Sequence, residues 1–302
     1  MTRNYLKHPM LFFLSAPAIA GAAEGYRETD YESLGYIGSG FFGDVSKIRE
    51  KKTGKIYALK TQKNVYYLNA EKEINALKQL DHENIVGMVT SNIETRSEDG
   101  PVHIVLEHMP CDLRHAVWNH PETKENTREI LHQVLKGVAH IHSKKLAHND
   151  LALKNILIDP ANMSVKICDF GFCFDGEEER LFFPGTSRSG YYSDILSVAG
   201  LMVRLYLGET FSERVSLGMF TKTDELEMFL QVKREGGILP GSELEMLCSG
   251  MGGVVSEDGL DLFLNLLSPK NEGCTTAAEA LGYPFFDEGH GLYPPIREPK
   301  QR

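Results

Sequence analysis

The sequence contains few cysteines, a deficit of basic residues and almost no long apolar runs. Its 302 residues include five cysteines with no Cys-x-x-Cys pair, and 32 Lys plus Arg against 42 Asp plus Glu. Five thiols cannot all pair within one chain, so we interpret the cysteines as free packing residues, as in a reducing compartment. A net charge of -10 argues against a general nucleic-acid binder, whose affinity depends on neutralising phosphates. We therefore expect no nucleic-acid partner.

One segment has the pattern of a targeting sequence. Arg3 and Lys7 precede an apolar run at residues 10–20 that ends in Ala-x-Ala, as in secretory signal peptides. The run is too short to span a bilayer, and no other segment predicts an integral membrane helix. Residues 1–22 are therefore either a signal peptide, which implies the secretory route, or an uncleaved apolar extension that packs on the folded domain. The second reading leaves a cytoplasmic or nuclear location open.

The hydrophobic pattern predicts an α+β protein whose first third is rich in strands. Residues 36–60 give strand, glycine turn, strand, turn and strand, with little helical periodicity. The later predicted elements are a helix at 71–80, a strand at 103–109, a helix around 130–141, a hairpin at 155–170, and helices at 195–206 and from 224 and 260. This order predicts two lobes that meet near residues 109–112.

A glycine-rich stretch gives the first indication of chemistry. Gly38, Gly40 and Gly43 have Gly-x-Gly-x-x-Gly spacing, and glycine lets a backbone approach phosphates without a Cβ in the way. A dinucleotide-binding fold would need a helix directly after this turn, but a strand pattern follows. An ordinary glycine-rich hairpin is the plainer alternative. Val45 completes a pattern that resembles the glycine-rich loop of protein kinases.

The motifs that follow extend this resemblance to the eukaryotic-type protein kinase family. In chain order they are "YALK" with Lys60, the helix residue Glu73, "HND" with Asp150, Asn155, and "DFG" with Asp169. Asp169 follows Asn155 by fourteen positions, with "NILID" between them, and this order is far more specific than any single motif. The resemblance implies a bilobal fold with a small β-rich N-lobe and a larger helical C-lobe. It also implies ATP and Mg²⁺ as cofactors.

The resemblance implies a role for each of these positions. Asp150 would accept the proton of the substrate hydroxyl, Lys60 and Glu73 would form the phosphate-binding pair, and Lys154 would approach the transferred phosphate. Asn155 and Asp169 would be the metal ligands. Nucleotide contacts would come from the glycine-rich turn, the neighbouring strands and the hinge: Ile37, Gly38, Ser39, Gly40, Phe41, Phe42, Gly43, Asp44, Val45, Ala58, Lys60, Glu107, Met109, Asp112 and Leu157. Leu106 stands at the gatekeeper position, and Asp112 could equally cap the following helix.

The resemblance covers residues 34–286. It implies an N-lobe at about 34–107, a C-lobe at about 112–286 and a tail at 287–302. Asp194 occupies the place of an aspartate that braces the catalytic loop, and "LDHENIV" with the hinge favours the cyclin-dependent-kinase-like branch. That branch implies a protein substrate and allows an activating subunit, although the helix around Glu73 lacks the cyclin-binding signature.

The sequence departs from the family pattern in four ways. Asn149 replaces the arginine of His-Arg-Asp, and Ala152 stands where serine/threonine kinases carry lysine, with Lys154 two residues later. The segment between Asp169 and Asp194 is only 25 positions long and has no Ala-Pro-Glu motif. Cys274 occupies the place of the arginine that normally pairs with that motif, so both partners of a buried ion pair are lost together.

These observations favour an active, diverged serine/threonine-type protein kinase. The nucleotide and metal residues are all present, whereas the peptide-docking and phosphorylation-control parts are reduced. Two alternatives stay open: a pseudokinase that holds ATP or a partner as a scaffold, and a kinase that acts on a small molecule.

Overall fold

The computed structural model describes residues 25–177, 179–183, 186–208, 223–268 and 276–288. For residues 179–183, 186–188 and 223 the description covers the backbone alone. Cys274 and the apolar run at residues 10–20 lie outside these ranges.

The first lobe is a five-stranded antiparallel sheet with one helix against it. Its strands are β1 (Tyr31–Ser39), β2 (Gly43–Glu50), β3 (Ile56–Gln62), β4 (Met88–Ser91) and β5 (Val102–Glu107), in the order β1-β2-β3-β5-β4. Helix α1 (Tyr67–Leu77) lies between β3 and β4 in the chain and buries Ala70, Ile74 and Leu77. These positions recur at intervals of three or four residues, which places them on one helical face.

The second lobe is mainly helical. Its elements up to the central helix are β6 (Cys111–Asp112), α2 (Leu113–Asn119), α3 (Glu122–Glu125), α4 (Thr127–Ser143), β7 (Leu146–Ala147), β8 (Ile156–Asp159), β9 (Ser164–Ile167), β10 (Phe174–Asp175), β11 (Glu179–Phe183) and β12 (Thr186–Ser189). The helices that follow are α5 (Gly190–Leu207), α6 (Thr223–Arg234), α7 (Glu243–Gly252), α8 (Glu257–Leu267) and α9 (Ala277–Leu281). The predicted β-rich first lobe and helical second lobe are confirmed.

Helix α4 lies in the core of the second lobe. Ile130, Val134, Val138 and Ile141 are all buried, as their periodicity predicts. A Cβ added to Gly137 would lie 2.8 Å from Ile167 Cδ1 and 2.9 Å from Asn84 O. Glycine therefore lets α4 approach β9 closely, and this contact fixes the base of the hairpin β8–β9 that leads into Asp169.

The segment between Asp169 and the central helix is a short antiparallel hairpin. Strand β11 pairs with β12, and β12 ends at Ser189, whose side chain accepts a hydrogen bond from Tyr192 N and caps α5. The central helix therefore begins at residue 190, earlier than the predicted 195, because Ser189 supplies the N-cap.

Two other predicted boundaries differ from the observed ones. The helix expected at 71–80 is found at 67–77, because the amides of Gln79 and Leu80 bond to carbonyls three residues back and tighten the last turn. The strand expected at 103–109 ends at 107. Helix α7 and strand β4 had no counterpart in the sequence prediction.

The four cysteines that the structure describes, Cys111, Cys168, Cys173 and Cys248, are free thiols. Burial raises the pKa of the Cys173 thiol to about 12. They act as packing residues, in line with the sequence interpretation. Within the described ranges, none of the helices is long and apolar enough to span a bilayer.

Candidate active site

A buried ion pair joins the sheet of the first lobe to helix α1. Lys60 on β3 is 6% exposed and Glu73 is fully buried, and Lys60 Nζ lies 2.8 Å from Glu73 Oε1 and 2.6 Å from Oε2. Gln62 adds a third contact, because its Nε2 donates to Glu73 Oε2 at 2.7 Å. Gln62 was not among the site residues predicted from the sequence. A signal was available, since residues two apart on a strand point to the same face.

The same lysine also reaches across to the second lobe. Lys60 Nζ donates to Asp169 Oδ1 at 2.8 Å, so one ammonium group holds a carboxylate from α1 and another from the chain after β9. Burial by itself lowers the pKa of Lys60, but Glu73 and Asp169 outweigh that effect and hold it above its usual value. Burial raises the pKa of Glu73, and Lys60 opposes that rise. Burial would likewise raise the pKa of Asp169, yet Lys60 keeps it below its usual value.

Asp169 and the three residues after it form a turn that is fixed by further contacts. Asp169 adopts a left-handed backbone conformation with φ of 66°, which turns the chain into a short 3-10 helix, Phe170–Phe172. The Phe170 ring is fully buried and lies edge-on to His148 with centroids 4.9 Å apart. Asn69 of α1 donates to Gly171 O at 3.0 Å. Helix α1 is therefore tied to this turn by a second contact, independent of Lys60.

The loop that carries "HND" is held by the central helix. Asp194, fully buried on α5, accepts hydrogen bonds from His148 N at 2.8 Å and Asn149 N at 2.7 Å. His142 Nε2 lies 3.0 Å from the same carboxylate. Asn149 has φ of 63°, a conformation that asparagine tolerates better than most residues. Its Nδ2 donates to Ala147 O at 3.0 Å.

Asp150, Lys154 and Asn155 lie together on this loop. Asn155 Nδ2 donates to both Asp150 O and Asp150 Oδ2, each at 2.7 Å. Lys154 Nζ lies 3.4 Å from Asp150 Oδ2. Lys154 belongs to a one-turn 3-10 helix, Leu153–Asn155, that follows Ala152. Lys154 therefore places a cation beside Asp150, although Ala152 supplies none.

The glycine-rich turn between β1 and β2 folds towards Asp169. Gly40 N donates to Gly43 O at 2.8 Å, and a Cβ added to Gly40 would lie 4.0 Å from Asp169 Oδ2. Phe42 in this turn is only 2% exposed, and its ring lies 4.9 Å from that of Phe172 and 5.7 Å from that of Tyr66. Phe42 was predicted as a nucleotide contact, and its aromatic partners were not foreseen.

The connection between the lobes is fixed by side-chain contacts. Glu107 at the end of β5 accepts from Gly87 N at 3.3 Å and pairs with Lys166 Nζ of β9 at 3.1 Å. Asp112 accepts from His115 N at 2.7 Å, so it is the cap of α2, the second of the two roles left open by the sequence.

The predicted nucleotide-contact residues fall into two groups on either side of this connection. Ile37 to Val45 form the end of β1, the turn and the start of β2, and Ala58 pairs with Leu106 across β3 and β5. Leu157 lies on β8, opposite Asp112 in the small sheet β6-β8-β9. Met109 lies in the connection between β5 and β6.

The oxygen atoms of Asn155 and Asp169 fit a magnesium ion better than a metal of the thiolate or imidazole type. Asn155 uses its amide nitrogen for Asp150, which leaves its side-chain oxygen as an acceptor. Asp169 uses Oδ1 for Lys60. In the described part of the chain, no cluster of three or more His, Cys, Asp or Glu side chains could hold a metal. A magnesium ion here would therefore depend on nucleotide phosphates and water for its remaining ligands.

Comparison with known families agrees with this geometry. The family model described as the protein kinase domain matches residues 31–286 of the chain.

Proposed function

The chain belongs to the protein kinase family, and on that basis we propose that it is an active phosphotransferase, which moves the γ-phosphate of ATP to serine or threonine hydroxyls of a protein substrate. The observation that carries this proposal is the double contact of Lys60 with Glu73 and Asp169. That contact aligns the phosphate-binding lysine with a metal ligand from the other lobe. Protein kinase domains transfer phosphate from ATP only when the lysine–glutamate ion pair and the metal-binding aspartate are both in place.

Lys60 supplies a fixed positive charge for the α- and β-phosphates. Its raised pKa keeps the ammonium protonated at neutral pH, and its burial means that the charge acts in a partly dehydrated site, where electrostatic stabilisation is large. Glu73 holds the Lys60 side chain in one orientation, and Gln62 in turn bonds to Glu73.

Asp150 is the group that accepts the proton of the substrate hydroxyl. Asn155 holds its carboxylate by a side-chain hydrogen bond, and Lys154 offsets the negative charge that the transferred phosphate brings to the same place. Asn155 and Asp169 would hold Mg²⁺, which neutralises phosphate charge when bound.

The preference for serine and threonine rests on the hinge and loop resemblance, with Lys154 in an unusual position for that group. The short hairpin β11–β12 limits the surface on which an extended peptide could lie. We therefore expect recognition of the residues close to the acceptor hydroxyl, with little contribution from positions further along the substrate.

A pseudokinase is the second candidate, and Phe42 is the observation that favours it. The ring of Phe42 lies beneath the glycine-rich turn against Phe172, with Lys60 Nζ 5.9 Å from its centroid. A nucleotide that binds here must share this space with the ring or move it. In the pseudokinase reading the ring stays, and the chain acts as a partner-binding scaffold.

Transfer of labelled γ-phosphate from ATP to an arrayed peptide library, followed by phosphoamino-acid analysis, tests the proposal. We expect Mg²⁺-dependent labelling of serine and threonine. Labelling of tyrosine alone would refute the acceptor preference. Nucleotide binding in a thermal-shift assay with no labelling of peptides or of the protein itself would support the scaffold.

A further inference from the structure

An apolar patch covers the outer side of helix α1. Val65, in the 3-10 turn before α1, is 80% exposed, and Leu68 in the first turn of α1 is 67% exposed. Phe172 is 43% exposed, and its neighbour Gly171 accepts a hydrogen bond from Asn69, the residue after Leu68, which brings Phe172 to the same end of α1. We call Val65, Leu68 and Phe172 the α1 patch. Contiguous exposed apolar side chains of this kind mark a surface that another segment or protein covers.

The described chain begins beside this patch. A Cβ added to Gly25 would lie 3.4 Å from Thr95 Oγ1, and Tyr26 N donates to Ser91 O at 3.1 Å. Arg96, the next residue after Thr95, donates to Asn64 Oδ1 at 3.1 Å, and its guanidinium carbon lies 4.5 Å from the ring centroid of Tyr67.

Asn64 and Tyr67 lie on either side of Val65 in the sequence, and Tyr67 directly precedes Leu68. The contacts of Thr95 and Arg96 therefore connect the first described residue to the edge of the α1 patch.

The residues that precede Gly25 have the composition needed to cover the patch. Residues 10–20 read "MLFFLSAPAIA", and Ser15 is their only polar member. The five residues that join residue 20 to Gly25 can span up to about 17 Å at ~3.4 Å per residue. Gly25 is linked through Thr95 and Arg96 to the residues that flank Val65, so these joining residues start near the border of the patch.

We propose that residues 10–20 dock on the α1 patch of the same chain, as a retained N-terminal extension that holds α1 against Asp169. The docked segment buries Val65 and Leu68 together with its own apolar side chains. Because α1 carries both Glu73 and Asn69, docking stabilises the two contacts that join α1 to the second lobe, Glu73 with Lys60 and Asn69 with Gly171. The extension thus restrains α1 from within the same chain, independently of the short hairpin β11–β12.

This interface does not depend on catalysis, so it can be tested without an activity assay. The measurement is amide hydrogen exchange, by mass spectrometry, on the full chain with residues 1–302 intact by mass. Three variants are compared with the wild type. The double variant Val65→Asp/Leu68→Asp changes the patch, and Phe12→Asp/Leu14→Asp changes the segment. Met228→Asp/Met246→Asp is the matched control, since these two side chains are exposed to similar extents, 54% and 55%, on α6 and α7.

We expect the amides of residues 10–20 to exchange at least about tenfold more slowly in the wild type than in the free peptide of the same sequence. The patch and segment variants should both lose this protection, whereas the control should keep it. All substituted positions in the folded domain are exposed, so the variants should fold.

Three results would overturn the proposal. The first is exchange of residues 10–20 at the free-peptide rate in the wild type. The second is protection that survives in the patch variant, or that rises with protein concentration, because the latter would place the segment on another copy. The third is a natural protein that begins after residue 22, since cleavage would remove the docking segment.

Discussion

The carboxylate of Asp194 accepts a hydrogen bond from the backbone nitrogen of Asn149 at 2.7 Å. The same carboxylate accepts from His148 N, so the central helix fixes the backbone immediately before Asp150. These contacts use main-chain atoms and so do not require arginine at 149, and asparagine tolerates the positive φ of that position. The loop can therefore keep its shape although asparagine stands where the family pattern has arginine.

Replacement of Asp194 with asparagine should disturb this loop. An amide offers one acceptor oxygen in place of two, and its NH2 group would face a backbone N–H, so one buried donor loses its partner. We expect the turnover number to fall at least about tenfold, a barrier increase of about 1.4 kcal/mol, with a lower melting temperature. Steady-state kinetics and calorimetry measure the two effects. Asp258→Asn, at an exposed position of α8, is the control, and an equal loss in both variants would contradict the role of Asp194.

Lys60→Met should remove nucleotide binding and destabilise the fold. The substitution leaves Glu73 buried without its cation, and breaking a buried pair typically costs about 3–5 kcal/mol. Denaturant titration and a nucleotide-dependent thermal shift measure these losses, with Lys52→Met in the exposed turn before β3 as the control.

The destabilisation caused by Lys60→Met should depend on pH through the groups that Lys60 contacts. The pKa of Lys60 is raised in the folded state, so its contribution is complete below the unfolded pKa of about 10.5 and disappears only above it. The pKa of Asp169 is lowered, so its contribution is complete above about 4. Lys60→Met also removes the cation that opposes the raised pKa of Glu73, and a buried carboxyl with a raised pKa destabilises the fold as pH rises above its unfolded value. The destabilisation by Lys60→Met should therefore be larger at pH 9 than at pH 6. A loss that is smaller at pH 9 than at pH 6 would contradict this account of the buried pair.

Acid should weaken the contact between the loop after α1 and helix α4. His82 stacks on His140 with centroids 4.9 Å apart, and burial, followed by the partner ring, lowers the pKa of His82. Burial, followed by Lys144, lowers the pKa of His140. A lowered folded-state pKa means that stability is complete above the unfolded value of about 6.5 and declines as pH falls through the folded value.

The variant His140→Phe should therefore show a smaller fall in melting temperature between pH 7.5 and pH 5.5 than the wild type. His115→Phe, at an exposed position of α2, should behave like the wild type. If the fall is unchanged in His140→Phe, this pair does not contribute to acid sensitivity.

Activity should not depend on phosphorylation of the segment before α5. Asn149 carries no charge to hold a phosphate, and β11 and β12 already pair through their backbones. Phosphatase treatment, or Thr186→Ala with Ser187→Ala, should change the turnover number by less than threefold, about 0.7 kcal/mol in the barrier. A loss of tenfold or more after dephosphorylation would show that another cation takes the place of the missing arginine.

The sequence predicts the elements around the site better than those at its periphery. Strands β1 to β3 and helix α4 follow from strong periodicity and from the glycine turn, and the fold class is confirmed. Helix α7 was missed because glycines at 241, 250, 252 and 253 lower local helix propensity. In the structure, burial of Leu244, Leu247 and Met251 outweighs that propensity, and burial against distant elements is not visible in a local pattern.

Within the site, order along the chain identifies Lys60, Glu73 and Asp169, but not how they share charge. The position of Phe42 depends on contacts with Tyr66 and Phe172, which come from two other elements. A glycine-rich motif indicates that a turn is present, whereas the direction of its aromatic side chain is set by tertiary packing. The roles of the individual site residues stay predictions that the following measurement addresses.

The most direct test of phosphate transfer compares the wild type with Asp150→Ala. Both proteins are assayed for ATP binding by thermal shift and for transfer of the labelled γ-phosphate to the best substrate of the peptide library. We predict that ATP binds both proteins with nearly equal affinity, because Asp150 positions the acceptor hydroxyl and not the nucleotide. Transfer should be measurable for the wild type and fall at least about a hundredfold in Asp150→Ala. The same background signal from both proteins would contradict an active kinase and leave the scaffold as the function of this chain.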